Sequence, residues 1–199
     1  MTDLTEHSVP APGARALRAD AQRNRARILE VAREAFAAEG LAVPVDSIAA
    51  RAGVGVGTLY RHFPTKEALC AAIVQSRVEA LGDEARVLAT ATDPGAAFFE
   101  FLRTMARLSA VDMALADSFA DAGYDVKSAT VDCKQALIAE LDVLLRRAQD
   151  AGAVRADMSS QDVLALMAAT CIANTRFSTE ESSRRILDVV LDGLRAASA

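Results

Sequence analysis

The chain has 199 residues, of which 52% are hydrophobic, 25% charged and only 5% aromatic, with three cysteines and no tryptophan. So large a hydrophobic fraction excludes a disordered chain and is ample for the core of one or two small domains, and few aromatics amid abundant alanine favour close-packed helices over sheets. The formal charge of −5 is uneven: Arg15 to Lys66 carries nine Arg and Lys against five Asp and Glu, whereas thirteen cations face twenty anions from Glu67 onward. A basic N-terminal module on an acidic body suits a protein of which one part alone meets polyanions, since repulsion from the body is screened within about 10 Å at ordinary salt.

Residues 1 to about 13 hold Pro10, Pro12 and Gly13 without apolar periodicity, which reads as a flexible tail. With Arg15 and Arg18 it makes a flexible basic arm over residues 1–18. Arg23, Arg25 and Arg27 follow, either as one solvated helix face or as further grips on phosphate. Ile28, Val31, Ala32, Ala35 and Phe36 then form the inner stripe of a long helix predicted from about Asp20 to Glu39 and ended by Gly40.

Between Pro44 and Lys66 two short helices are predicted around a glycine turn. Val45, Ile48, Ala49 and Ala52 recur at i, i+3, i+4 and i+7 behind Pro44 at the helix start, and Gly53 supplies the left-handed turn. A second helix runs to the residue before Pro64, with Leu59 and Phe63 facing inward. Val56, Gly57, Thr58, Tyr60, Arg61 and His62 are left wholly or partly outward, a set of hydroxyls, a guanidinium and an imidazole suited to phosphate oxygens and base edges. Gly55 and Gly57 let the helix start approach a phosphate backbone closely. Two short helices joined by such a turn make a helix-turn-helix.

The run V-G-T-L-Y-R-H-F-P-T-K-E-A-L, preceded by I-A-A-R-A-G-V, resembles the DNA-binding signature of the tetracycline-repressor-like (TetR) family of transcriptional regulators over roughly twenty positions in register. Val43 and Pro44 stand where that family often has Thr or Ser, and Gly55 where it often has Ser, so backbone amides must replace a hydroxyl cap and one phosphate contact. The resemblance implies a sequence-specific regulator of transcription, a repressor released from double-stranded operator DNA by a small-molecule effector. It further implies a DNA-binding set of Val45, Gly55, Val56, Gly57, Thr58, Tyr60, Arg61, His62 and Lys66. Thr58, Tyr60, His62 and Lys66 are expected on phosphates, and Val56, Gly57 and Arg61 on base edges, with Tyr60 able to do both. Two alternatives are a DNA-binding protein that answers to no ligand and a helical enzyme that retains the motif.

Beyond Lys66 the pattern stays helical, and the expected class is all-α: a three-helix DNA-binding domain over residues 19–66 and a helical bundle over 67–199, about nine helices together. A fourth helix extends from Lys66 to about Leu81. After Asp93-Pro94-Gly95, a helix with Phe98, Phe99, Phe101, Leu102, Met105 and Leu108 is apolar on more than one face, so it is central to the core or lines a cavity. A shorter helix is expected from Asp112 to Ala122 and a longer one from about Val126 to Ala151, followed by a loop in which Ser159 or Ser160 caps the next. Phe98, Phe101, Leu102, Met105, Met113, Phe119, Leu137, Met167 and Cys171 are candidates for an effector pocket, the alternative being plain core.

The last two helices, from about Ser160 to Arg176 and Glu181 to Ala197, carry Val163, Met167, Thr170, Asn174, Ile186, Val190 and Leu194. These pack within the chain or, as the resemblance implies, against a second copy in a homodimer. Cys70, Cys133 and Cys171 are too far apart for a zinc motif or disulfide framework, which points to a reducing cytoplasm. No apolar run is long enough to span a membrane. With only His7 and His62, and no phosphate-binding glycine loop between a strand and a helix, the sequence predicts no catalytic site, no metal and no cofactor.

Overall fold

The computed structural model describes residues 12–177 and 179–197, and within them leaves out the side chains at 12–19, 109–114, 127, 174–177 and 180. The described residues form nine α-helices and no strand: α1 Pro12–Glu39, α2 Val45–Arg51, α3 Val56–His62, α4 Lys66–Leu88, α5 Pro94–Asp121, α6 Val126–Ala129, α7 Val131–Asp150, α8 Ser160–Phe177 and α9 Glu180–Gly193. The chain folds as two compact units that meet in sequence between Leu69 and Cys70.

In the first unit α1, α2 and α3 pack pairwise. Ile28, Leu29, Ala32, Ala35 and Phe36 of α1 are buried, as are Val43, Ile48, Ala49, Ala52, Leu59 and Phe63. Removing each large side chain of this set from water stabilises the unit by roughly 1.5–3 kcal/mol. The inner stripe read from the sequence is thus the core stripe, Val31 being only half-buried. The helix itself begins at Pro12, where the absence of periodicity predicted a tail and a start near Asp20. Pro12 has the fixed φ of a first helical position, and A-R-A-L-R-A-D-A is rich in good helix formers whatever its amphipathicity.

In the second unit α5 is the central element, packed against α7, α8 and α9. Its start is specified locally: the Asp93 carboxylate accepts from the Ala96 amide at 2.9 Å, and Pro94 takes the first helical position. Gly95 is needed for a different reason, because a Cβ there would lie 2.5 Å from Cβ of Ala153. Gly95→Ala is therefore expected to destabilise this unit by about 1–3 kcal/mol despite alanine's better helix propensity, read as a lower thermal midpoint.

Several element boundaries differ from the sequence expectation. The break near Asp112 does not occur, and α5 runs unbroken to Asp121; S-A-V-D-M-A contains neither Gly nor Pro, so nothing in the backbone stops the helix. A break does occur at Thr130, whose buried hydroxyl donates to the Val126 carbonyl, so the single helix expected from Val126 is α6 followed by α7. Helix α4 continues through Gly82 to Leu88, because one glycine costs only about 1 kcal/mol inside a well-packed helix. The Arg147 guanidinium donates to the Ala89 carbonyl and, at 3.0 Å, to that of Ala91, so α7 satisfies acceptors just beyond the end of α4.

Helix α9 ends at Gly193, short of Ala197, because the next residues pair with the loop before α8: Arg155 donates to the Leu194 carbonyl at 3.0 Å and Ala196 to that of Ala153 at 3.2 Å. Ser159 is the cap of α8. Its hydroxyl accepts from the Asp162 amide at 3.2 Å while the Asp162 carboxylate accepts from the Ser159 amide at 2.9 Å and hydroxyl at 2.6 Å, a reciprocal pair. The hydroxyl, then the amide, hold the Asp162 carboxyl below its ordinary range.

Candidate nucleic-acid interface

The turn between α2 and α3 is built from backbone. Gly53 sits at φ +65°, its amide donating to Ala50 at 3.1 Å and that of Val54 to Ala49 at 3.0 Å, which satisfies two terminal carbonyls of α2. Only glycine adopts this φ without strain. The Glu39 carboxylate receives both terminal nitrogens of Arg51, one of them at 3.0 Å, tying the last turns of α1 and α2. The same bonds hold the Glu39 carboxyl below its ordinary range.

Helix α3 opens on Gly55, in extended conformation, without a side-chain cap, as α2 opens on Pro44. The carbonyl of Gly55 accepts from Thr58 at 2.8 Å and Leu59 at 3.1 Å, so the first amides of α3 are left for water or an external acceptor. Leu59 and Phe63 anchor the helix at 1% and 2% exposure. Gly55, Val56, Gly57, Tyr60 and Arg61 are exposed, and Val45, Thr58, His62 and Lys66 are half-buried. Seven residues are too few to be stable alone, so the direction of the exposed side chains is set by those two anchors.

Lys66 is not the unengaged surface cation that the sequence suggests. Its ammonium donates to the Leu41 carbonyl and, at 2.9 Å, to that of Val43, and it lies 5.3 Å from the centroid of Phe36. An ammonium has three donors, so at most one remains for a phosphate. Nothing local in the sequence marks these carbonyls, which lie 25 and 23 residues earlier. Among the arginines of α1, Arg25 stacks 5.5 Å above the Phe63 ring, Arg23 pairs with Asp20, and Arg27 lies beside Gly53, its Nη2 3.3 Å from where a Cβ would stand. The side chains of Arg15 and Arg18 lie outside the described residues, as does all of residues 1–11.

In the second unit Phe98, Phe101, Leu102, Met105, Leu137 and Met167 belong to one buried cluster, and Phe119 and Cys171 are buried too. The Met113 side chain lies outside the described residues. A cavity of about 160 Å³ is lined by other residues, from α4, α5, α6, α7 and the turn after α5. Of the residues named for assembly, Val163, Met167, Thr170 and Leu194 are buried within their own chain, Ile186 and Val190 are half-buried, and the Asn174 side chain lies outside the described residues. The outward face of α8 consists of Ala165, Leu166, Ala168, Ala169 and Ile172, and Val189 on α9 is 72% exposed. The run V-L-A-L-M-A-A-T-C-I was the available signal: a helix apolar all round has two faces to cover. No described helix is long and apolar enough to cross a membrane, and the described residues contain no cluster of three or more His, Cys, Asp or Glu able to hold a metal ion.

Comparison with known proteins agrees with the helical fold of each unit. Residues 28–73 match the family described as bacterial regulatory proteins, tetR family, and residues 93–196 match the transcriptional regulator SbtR-like C-terminal domain. The crystal structure of a TetR transcription regulatory protein from Mycobacterium vanbaalenii is 47% identical, covering 90% of this chain and 99% of that one with a TM-score of 0.75. A TetR transcriptional regulator from Streptomyces coelicolor is 34% identical, over 87% of this chain and 99% of that one, with a TM-score of 0.74. An HTH-type transcriptional regulator of Staphylococcus aureus (strain USA300) is 45% identical over 60 residues, 30% of this chain and 32% of that protein, so this match spans about a third of the curated relative. With a backbone-built turn, a seven-residue helix presenting polar side chains from two buried anchors, and likeness to solved regulators over nearly the whole chain, the protein belongs to the TetR family of transcriptional regulators.

Proposed function

We propose that the protein binds palindromic operator DNA as a homodimer, acting in the cytoplasm as a repressor that a small molecule bound in the body releases. The observation that carries this reading is α3, whose exposed Val56, Gly57, Tyr60 and Arg61 stand on the buried Leu59 and Phe63. Residues 19–66 act as the DNA-binding head, 67–199 as the ligand-binding and dimerisation body, and 1–18 as a basic arm. Thr58, Tyr60 and His62 meet phosphates, with the first amides of α3; Arg61 reads a base edge, where a guanidinium pairs with guanine. Val45 and Gly55 border the same surface. Leu166, Ala169 and Val189, open to solvent in the single chain, are the apolar surface that α8 and α9 offer a second copy. The work of this protein is recognition, without catalysis.

Operator binding measured against salt tests the head. Tyr60→Ala is expected to weaken binding with the salt slope and the melting of the head unchanged, because a neutral phenol on a phosphate releases no counterion. Lys66→Ala is expected to lower binding and the thermal stability of the head together, because two carbonyls lose their donor. Arg61→Ala should instead flatten discrimination at one base pair by about 1–3 kcal/mol. If all three variants bind every operator variant as the parent does, α3 is not the recognition helix.

A further inference from the structure

The cavity of the second unit has a chemistry of its own. Val74 of α4, Ala116 and Ala120 of α5 and Val126 of α6 supply the apolar part of the lining, which Asp117, Tyr124 and Lys134 complete. Neither Asp117 nor Lys134 makes an ion pair among the described residues, and both side chains are exposed. Burial, and after it the charge of Asp117, pushes the Cys171 thiol up. At about 160 Å³ the space is close to an apolar cavity of about 150 Å³ that accepts benzene. Opposite charges beside an apolar space of that size favour a ligand that carries both signs close to a compact apolar group, each sign meeting its counterpart.

We propose that this cavity binds a compact zwitterion with an apolar body of about benzene size, its cationic group on Asp117 and its anionic group on Lys134 with Tyr124 beside it. The proposal rests on the effector reading above and names the effector's class. None of the phenylalanines and methionines named from the sequence is among the cavity's lining residues. Val74 lies on α4, the helix that follows α3 in the chain.

Calorimetric titration of the full chain with phenylalanine, 2-phenylethylamine, 3-phenylpropionate and toluene tests it. Phenylalanine is expected to bind at least tenfold tighter than either singly charged compound, and toluene weakest. Asp117→Asn should abolish the advantage over 3-phenylpropionate, Lys134→Met that over 2-phenylethylamine, and Ala120→Phe, which fills the space, should abolish binding in a chain whose circular dichroism matches the parent. Equal affinities, no binding of phenylalanine, or binding undiminished in Ala120→Phe overturns the proposal. Operator affinity measured in parallel separates it from the wider reading: phenylalanine bound without a change in operator affinity supports the site and overturns the switch, whereas operator release by a ligand indifferent to Asp117 and Lys134 supports the switch and overturns this site.

Discussion

Leu59→Ala is expected to unfold the first unit and abolish operator binding while the helical signal of the second unit persists. Leu59 is 1% exposed and lies in the middle of α3, so truncation leaves a cavity beside a helix with no side-chain cap. Leucine-to-alanine changes at such sites cost about 2–5 kcal/mol, comparable to the roughly 3–5 kcal/mol that a core of under about 70 residues supplies. The measurement is calorimetric melting with operator titration, Tyr60→Ala serving as the surface control on the same helix. Parent-like melting and binding in Leu59→Ala would show that α3 is held by something other than its buried anchors.

A second large effect is expected from Leu166→Glu combined with Ala169→Glu, which should convert the protein to a monomer and weaken binding to a palindromic site by roughly 10²–10⁴-fold. Both side chains are exposed and lie three residues apart on one face of α8, and glutamate suits a helix, so the fold of the single chain should survive. Two charges in an apolar interface are unpaired on association, whereas two heads on one duplex gain their affinity from effective concentration. Charges at Met167 would answer a different question, because that side chain is buried in its own chain and the change would unfold the body. A variant that sediments as a dimer and binds the palindrome normally would put the interface on another face.

How far each feature was legible depends on how local its cause is. The three head helices and their inner stripe follow from spacing alone, because Ile28, Ala32, Ala35 and Phe36, then Ile48, Ala49, Ala52, Leu59 and Phe63 repeat at helical intervals and glycine is needed at Gly53. The outward set of α3 is their complement. The all-α class, the break at Asp93-Pro94-Gly95 and a cap at Ser159 or Ser160 are likewise read from residues within a few positions of one another, and the structure chooses Ser159. Tertiary structure alone decided what depends on distant partners. It engaged Lys66 with carbonyls of the α1–α2 loop, set Gly95 against Ala153, and joined residues 112 onward to α5. It also turned Val163, Met167 and Thr170 inward on α8 while leaving Leu166 and Ala169 outward. In a helix apolar on every face the 3.6-residue period carries no sign of which stripe meets the core, and only the packing of α5, α7 and α9 against α8 chooses it.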